Sequence, residues 1–264
     1  MDLQLQGKTA LVTGSTAGIG FAIAASLARE GAHVFVNGRT QQRVDAAIAA
    51  VRVSVPQAHL DGIASDLSSA AGAEAIIAKL PAVDVLVNNV GIFEVKPFAE
   101  ISDADWYRFF EVNVMSGVRL SRHYLPGMLK KNWGRIVFIS SESAVQIPVE
   151  MVHYGMTKTA QVAIARGIAE SVAGTGVTVN SILAGPTASE GVATFVDSMA
   201  RQQKKTREQM EKEFFEQARP SSLLRRFATP DEVAAMVTYV AGEPSSATNG
   251  AALRVDGGVV RAIL

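Results

Sequence analysis

A short apolar run, Thr9 to Val12, leads directly into Thr13-Gly14-Ser15-Thr16-Ala17-Gly18-Ile19-Gly20, after which Ile19, Ile23 and Leu27 recur at helical spacing until Gly31. This order of strand, glycine-rich turn and helix constrains the chain more than any other stretch. Glycines at 14, 18 and 20 let the backbone turn tightly and approach a pyrophosphate, whose charge the helix N-terminus would then meet. The spacing departs from the common G-x-G-x-x-G pattern, so a plain tight turn stands as the alternative.

The same alternation continues along the chain. His33 to Val36 reads as a buried strand ending in Asn37-Gly38-Arg39, followed by a helix over Gln41 to Val51. A carboxylate at that strand end would bind a ribose diol. Arg39 beside Gly38 offers space and positive charge to a 2′-phosphate instead, unless it only opens the next helix as a solvated residue. A strand over His59 to Ala64 precedes Asp66-Leu67-Ser68, where Asp66 serves either as acceptor for an adenine amino group or as a helix cap. Val83 to Val87 is a further strand, ending in Asn88-Asn89-Val90-Gly91. Ser102 to Asp105 has the form of a capping box opening a long helix that carries Phe110, Asn113 and Val114. Asn113 is a poor interior residue on an apolar helix, so its amide is expected to satisfy buried groups or a water chain.

Arg135 to Ser140 and Val177 to Leu183 are two more strands, and Ala252 to Val255 is the last. Between 187 and 227 the texture becomes charged. Phe195, Met199, Thr206, Met210 and Phe214 recur at helical intervals, and Arg207 with Glu211 and Glu208 with Lys212 form opposite-charge pairs one turn apart. A helical substrate lid is expected there. Strands alternating with helices imply a doubly wound parallel sheet with ligands at the carboxyl ends of the strands.

Composition narrows the partner. Lys and Arg number 25 and Asp and Glu 25, so a basic nucleic-acid or anionic-membrane surface is not expected. There is no cysteine, which excludes disulfides, thiolate metal sites and cysteine nucleophiles. His33, His59, His123 and His153 show no metal-ligand spacing. No apolar run approaches the roughly 20 residues needed to span a bilayer, and no leader opens the chain, so a cytoplasmic protein acting on a small molecule is expected.

Tyr154 and Lys158, four residues apart, stack on one helix face and place an ammonium beneath a phenol. A fixed positive charge there favours the phenolate and lowers a pKa that is ordinarily about 10. Ser141, from a separate segment, can bind the same substrate oxygen. The pair alone is cheap, and its neighbours decide its meaning.

Thr13-Gly14-x-x-x-Gly18-x-Gly20, Asn88-Asn89-x-Gly91, Asn113, Ser141, Tyr154-x-x-x-Lys158 and Asp256-Gly257-Gly258 together resemble the short-chain dehydrogenase/reductase family over essentially the whole chain. The resemblance implies a Rossmann-like sheet of about seven strands in a single domain, 1–264, with the lid over 187–227. It makes Tyr154 the general acid in ketone reduction and general base in alcohol oxidation. Lys158 would lower the tyrosine pKa and bind the nicotinamide ribose, Ser141 would polarise the carbonyl, and Asn113 would hold a water linking Lys158 to solvent. It also implies cofactor contacts from Gly14, Thr16, Gly18, Ile19 and Gly20 in the first turn, and from Arg39, Asp66 and Leu67 beyond the second and third strands. Asn89, Gly91, Tyr154, Lys158, Gly185, Thr187 and Ser189 complete that cofactor set.

Four positions depart from the family pattern: Val90 replaces alanine, Ala184 in Ala184-Gly185 replaces the proline of Pro-Gly, Ser189 replaces the threonine that binds the nicotinamide carboxamide, and Ala17 stands where NADP-preferring members often carry a basic residue. The implied activity is NADP-dependent reduction of a carbonyl to a secondary alcohol, with NAD possible. The alternatives are an NAD-linked dehydrogenase for a sugar, polyol or hydroxysteroid, and a nucleotide-sensing protein on the same fold. The expected pocket is lined by Phe93, Glu94, Val95, Val145, Gln146 and Ile147 with parts of the lid. It suits a partly hydrophobic ketone, while Glu94, Glu142, Gln146 and His153 offer polar selection. The resemblance further implies a homotetramer, for which the Phe110 and Val114 stripe is compatible and which would equally suit a core.

Overall fold

The computed structural model describes residues 1–203 and 205–263; the side chains of residues 193–196, 198, 199 and 202 lie outside that description, and with them the expected Phe195 and Met199 positions. Seven strands, β1 (Thr9–Val12), β2 (His33–Gly38), β3 (Leu60–Ala64), β4 (Val85–Asn88), β5 (Gly134–Ser141), β6 (Val177–Ala184) and β7 (Ala252–Val255), form one sheet in the order β3-β2-β1-β4-β5-β6-β7. Every pairing is parallel, with Leu11 opposite both Phe35 and Leu86, and Ser141 opposite Ala184.

Successive residues of a strand point to opposite faces, and both faces are covered, so the central strands read as unbroken apolar runs. Ala10, Val12, Val85, Val87, Val137 and Ile139 face one side. There they meet the helices α1 (Gly18–Arg29), α2 (Gln41–Ser54) and, nearest the end of the chain, Pro230–Ala241. Leu11, Leu86, Ile136 and Phe138 face the other side, against α3 (Ala70–Lys79), α5 (Ser116–Lys131) and α6 (Val152–Ser171). Burial of these apolar side chains, each contributing roughly 1.5–3 kcal/mol, is the main force holding helices to sheet.

The capping box at Ser102 forms as expected, with Asp105 as its partner, and starts α4 (Asp103–Phe110). The long helix predicted from there is not continuous: one π-helical turn, Glu111–Met115, separates α4 from α5 and contains Asn113. Val114 is fully buried while Phe110 is half exposed, so the two do not form one surface stripe.

Beyond β6 the chain forms α7 (Glu190–Gln203), α8 (Arg207–Glu213) and a π-helical turn, Phe214–Ala218, before the last helix, α9 (Pro230–Ala241). The expected one-turn charge pairs of α8 are replaced by others. Glu211 accepts from the Phe227 amide at 3.1 Å, Lys212 lies 3.8 Å from Glu216, and Lys205 pairs with Glu213. Thr206 caps α8 and is no part of an apolar stripe.

Candidate active site

The carboxyl ends of β4, β5 and β6 and the start of α1 converge on a cavity of 490 Å³. Of the predicted site residues, Ile19, Asn89, Gly91, Ser141, Tyr154, Lys158, Gly185, Thr187 and Ser189 line it. Gly14, Thr16, Gly18, Gly20, Arg39, Asp66, Leu67 and Asn113 lie outside that lining.

The first turn fits the phosphates of a dinucleotide. Gly14 and Gly18 adopt φ of +60° and +57°, where side chains are strained, and a Cβ on Gly20 would stand 2.5 Å from both the Asn89 Nδ2 and the Gly14 carbonyl. Asn89 fastens the turn by donating to the Thr13 carbonyl at 2.9 Å and the Gly14 carbonyl at 3.0 Å. Asn37 fastens it from β2, accepting from the Gly14 amide at 3.1 Å. Helix α1 begins without a side-chain cap, whereas Thr40, Ser69, Ser102, Thr206 and Thr229 cap α2, α3, α4, α8 and α9. Its first amides are thus left for an anion.

Arg39 is exposed one residue past β2. The space beside Gly38 is filled by the Thr16 methyl, since a Cβ there would stand 2.3 Å from Thr16 Cγ2. Asp66 accepts from the Ser68 amide at 3.0 Å, and the cap of α3 is Ser69, so the capping alternative for Asp66 is not what forms. Leu67 is buried in the core, leaving only its backbone toward a ligand.

Ser141 ends β5, and Tyr154 and Lys158 share one face of α6. The Ser141 hydroxyl donates to Glu142 Oε2 at 2.5 Å, accepts from the Ser143 amide at 3.1 Å and lies beside the Tyr154 phenol, whose ionised form it favours. Lys158 Nζ donates to the Ile139 carbonyl at 2.9 Å and to Gln161 Oε1 at 3.2 Å, and Gln161 Nε2 donates to the Asn113 carbonyl at 2.6 Å. An ammonium has three N–H donors, so one remains beyond these two bonds.

Electrostatics correct one expectation. Burial, then the Glu142 carboxylate, push the Tyr154 phenol above its usual value, against opposing effects of the Ser141 hydrogen bond and of Arg219. Lys158 is not among the groups that outweigh this, and burial pushes the lysine itself down to about 8. Asn113 is anchored within the protein. Its side chain accepts from the Ile92 amide at 2.7 Å and donates to the Ile92 carbonyl at 2.9 Å and to Thr157 Oγ1 at 3.0 Å, so it braces the segment after β4, and its carbonyl reaches Lys158 through Gln161.

Several pocket expectations fail. Glu94 pairs with Arg108 at 2.5 Å, Gln146 reaches toward Ser221, and neither of them nor Val145 or Ile147 lines the cavity. His153 is buried against Phe109, with ring centres 4.0 Å apart. Phe93, Val95 and Glu142 do line it, with Glu150, Phe214, Arg219 and Phe227. Gln161 was legible as the next residue on the Tyr154–Lys158 face. Arg219, which pairs with Glu142 at 3.2 Å and Glu150 at 3.3 Å, carried no local signal.

A family profile described as short chain dehydrogenase matches residues 8–200. The chain is 48% identical over 263 residues to uncharacterized oxidoreductase YvaG of Bacillus subtilis (strain 168), covering all of both chains. It is 34% identical to a D-beta-hydroxybutyrate dehydrogenase of Cupriavidus necator, over 97% of this chain and 99% of that one. An L-sorbose reductase from Gluconobacter frateurii, solved with NADPH and L-sorbose, superposes with a TM-score of 0.92 at 28% identity over the whole of both chains. The chain belongs to the short-chain dehydrogenase family. It is an NAD(P)-dependent oxidoreductase, and the sensor alternative falls away.

Proposed function

We propose that this chain reduces a ketone to a secondary alcohol with NADPH. The observation that carries the reading is the joining of Ser141, Tyr154 and Lys158 on one wall of the cavity, with the Tyr154 phenol held in its protonated form. When bound, the reduced nicotinamide supplies a hydride to the carbonyl carbon. Tyr154 gives its proton to the carbonyl oxygen, so that the alcohol leaves with one new C–H and one new O–H bond. A phenol with a raised pKa keeps that proton at neutral pH, so the donor is in the protonated form that reduction needs. Ser141 fixes the carbonyl oxygen, and the remaining Lys158 donor is available to a ribose hydroxyl.

NADPH is preferred to NADH in this reading because β2 ends in Asn37-Gly38-Arg39, with no carboxylate for a ribose diol. Asn37 is occupied in bracing the turn, leaving Arg39 to meet a 2′-phosphate. The NADPH-bound sorbose reductase supports the choice. Residues 187–227 act as the lid, supported by the placement of Thr187, Val192, Phe214 and Phe227 on the cavity wall. A cytoplasmic homotetramer completes the proposal, supported by the exposed Tyr107 and Phe110 on α4. No described helix is long and apolar enough to cross a membrane.

The test is parallel titration with NADPH and NADH, followed by a ketone panel with the tighter cofactor. Tighter NADPH binding with ketone turnover supports the reading. Tighter NADH binding, or binding without turnover of any ketone, contradicts it.

A further inference from the structure

Hydrogen-bond accounting at Ser141 constrains the substrate. A hydroxyl has one hydrogen. In this structure that hydrogen goes to Glu142 Oε2 at 2.5 Å, while Ser141 Oγ accepts from the Ser143 amide at 3.1 Å. To bind a substrate carbonyl as a donor, Ser141 must turn its hydrogen away from Glu142.

Glu142 then faces a deficit. It is only 4% exposed, and its other oxygen, Oε1, is held by Arg219 Nε at 3.2 Å. No second hydrogen bond to Oε2 exists among the described residues. Of the donors on this wall, the Tyr154 phenol is committed to the carbonyl oxygen in the proposed reaction and Lys158 to Ile139 and Gln161, so the Ser143 hydroxyl and a hydroxyl on the substrate are what can take the place of Ser141. Leaving a buried acceptor without its partner is costly, so a substrate that itself restores the bond is favoured.

The position of the missing donor follows from connectivity. Glu142 Oε2 adjoins the serine oxygen that binds the carbonyl, so the replacement must adjoin the carbonyl oxygen. A hydroxyl on the neighbouring carbon satisfies this. We propose that Glu142 is a specificity residue that accepts a hydrogen bond from a hydroxyl on the carbon next to the reacting carbonyl, making the substrate class α-hydroxy ketones and the product class vicinal diols. Arg219, braced on its far side by Glu150 at 3.3 Å, holds the carboxylate in place for that contact. This inference rests on the ketone-reductase reading above and narrows it.

The experiment compares kcat/KM for 1-hydroxy-2-butanone, 1-methoxy-2-butanone and 2-butanone, each with NADPH and with NADH, for the native enzyme and for Glu142→Gln. The methoxy ketone keeps the electron withdrawal of the hydroxyl but lacks its hydrogen. A site built to bind a substrate hydroxyl rejects analogues lacking it, so the native enzyme is expected to favour the hydroxy ketone over the methoxy ketone by about 100-fold or more. In Glu142→Gln the amide oxygen is drawn to Arg219 Nε and the NH₂ replaces Oε2, turning an acceptor into a donor; the ratio is expected to fall at least tenfold. Equal native rates for hydroxy and methoxy ketones, or an unchanged ratio in the variant, overturn the inference while leaving the reductase reading intact. Failure of the native enzyme to reduce any of the three with either cofactor overturns the reductase reading, and the inference with it. Should Glu142→Gln not fold, the native hydroxy-to-methoxy ratio decides by itself.

Discussion

The Lys158 ammonium lies 5.6 Å from the centre of the Tyr154 ring and commits two of its donors elsewhere, to the Ile139 carbonyl and to Gln161 Oε1. The two residues share a helix face as their spacing requires, yet the lysine is not what sets the phenol's acidity. Burial and Glu142 act first and in the opposite direction. Tyr154 therefore keeps its proton, and Lys158 is drawn down to about 8.

That ordering fixes the pH dependence. Lys158 is charged below about 8 and neutral above it, while Tyr154 remains protonated through the same window. The kcat/KM for NADPH, which reports the free enzyme, should fall as pH rises through about 8. A profile level to pH 10 would contradict the placement of Lys158 in the cofactor site.

Gln161 links Lys158 to the Asn113 carbonyl and is buried. Replacing it by Leu leaves that carbonyl unpaired and removes one acceptor from the ammonium. Urea unfolding should show a loss of about 1–3 kcal/mol. The basic limb of the kcat/KM profile should also move to lower pH, because the charged lysine loses a partner.

Arg39→Ala should weaken NADPH binding by tenfold or more and leave NADH nearly unchanged, since a charge-assisted bond to a phosphate contributes about 1.5–3 kcal/mol. Fluorescence titration with both cofactors checks this. Equal losses for the two would remove Arg39 from the 2′-phosphate.

Gly20→Ala places a methyl 2.5 Å from Asn89 Nδ2 and from the Gly14 carbonyl, neither of which has room to retreat within the turn. The expected result is a stability loss of about 1–3 kcal/mol together with weaker binding of either cofactor, read by thermal melting with and without NADPH.

Much of this was legible in the sequence because it rests on local patterns. Apolar runs, the helix cap at Ser102 and the glycine turn are short-range signals, and they placed the seven strands and the carboxyl-end cavity correctly. The Tyr154–Lys158 face was equally local, and Gln161 lies one turn further along it. What escaped depends on contacts between distant segments. Arg219 meets Glu142 across 77 positions, and Asn113 meets Ile92 from inside a π-turn that no periodicity announces. The rise in the Tyr154 pKa was hidden for the same reason, since burial is a property of the assembled wall and not of a four-residue spacing.

The most direct test of the central claim is Tyr154→Phe, assayed for NADPH binding and for ketone-dependent NADPH oxidation side by side. The substitution removes the phenolic hydroxyl and keeps the ring. The account predicts cofactor affinity within a few-fold of the native enzyme and turnover lowered about 10²–10⁴-fold, the range expected for loss of a general acid. Native-like turnover in the variant would contradict Tyr154 as the proton donor and, with it, the mechanism assigned to this site.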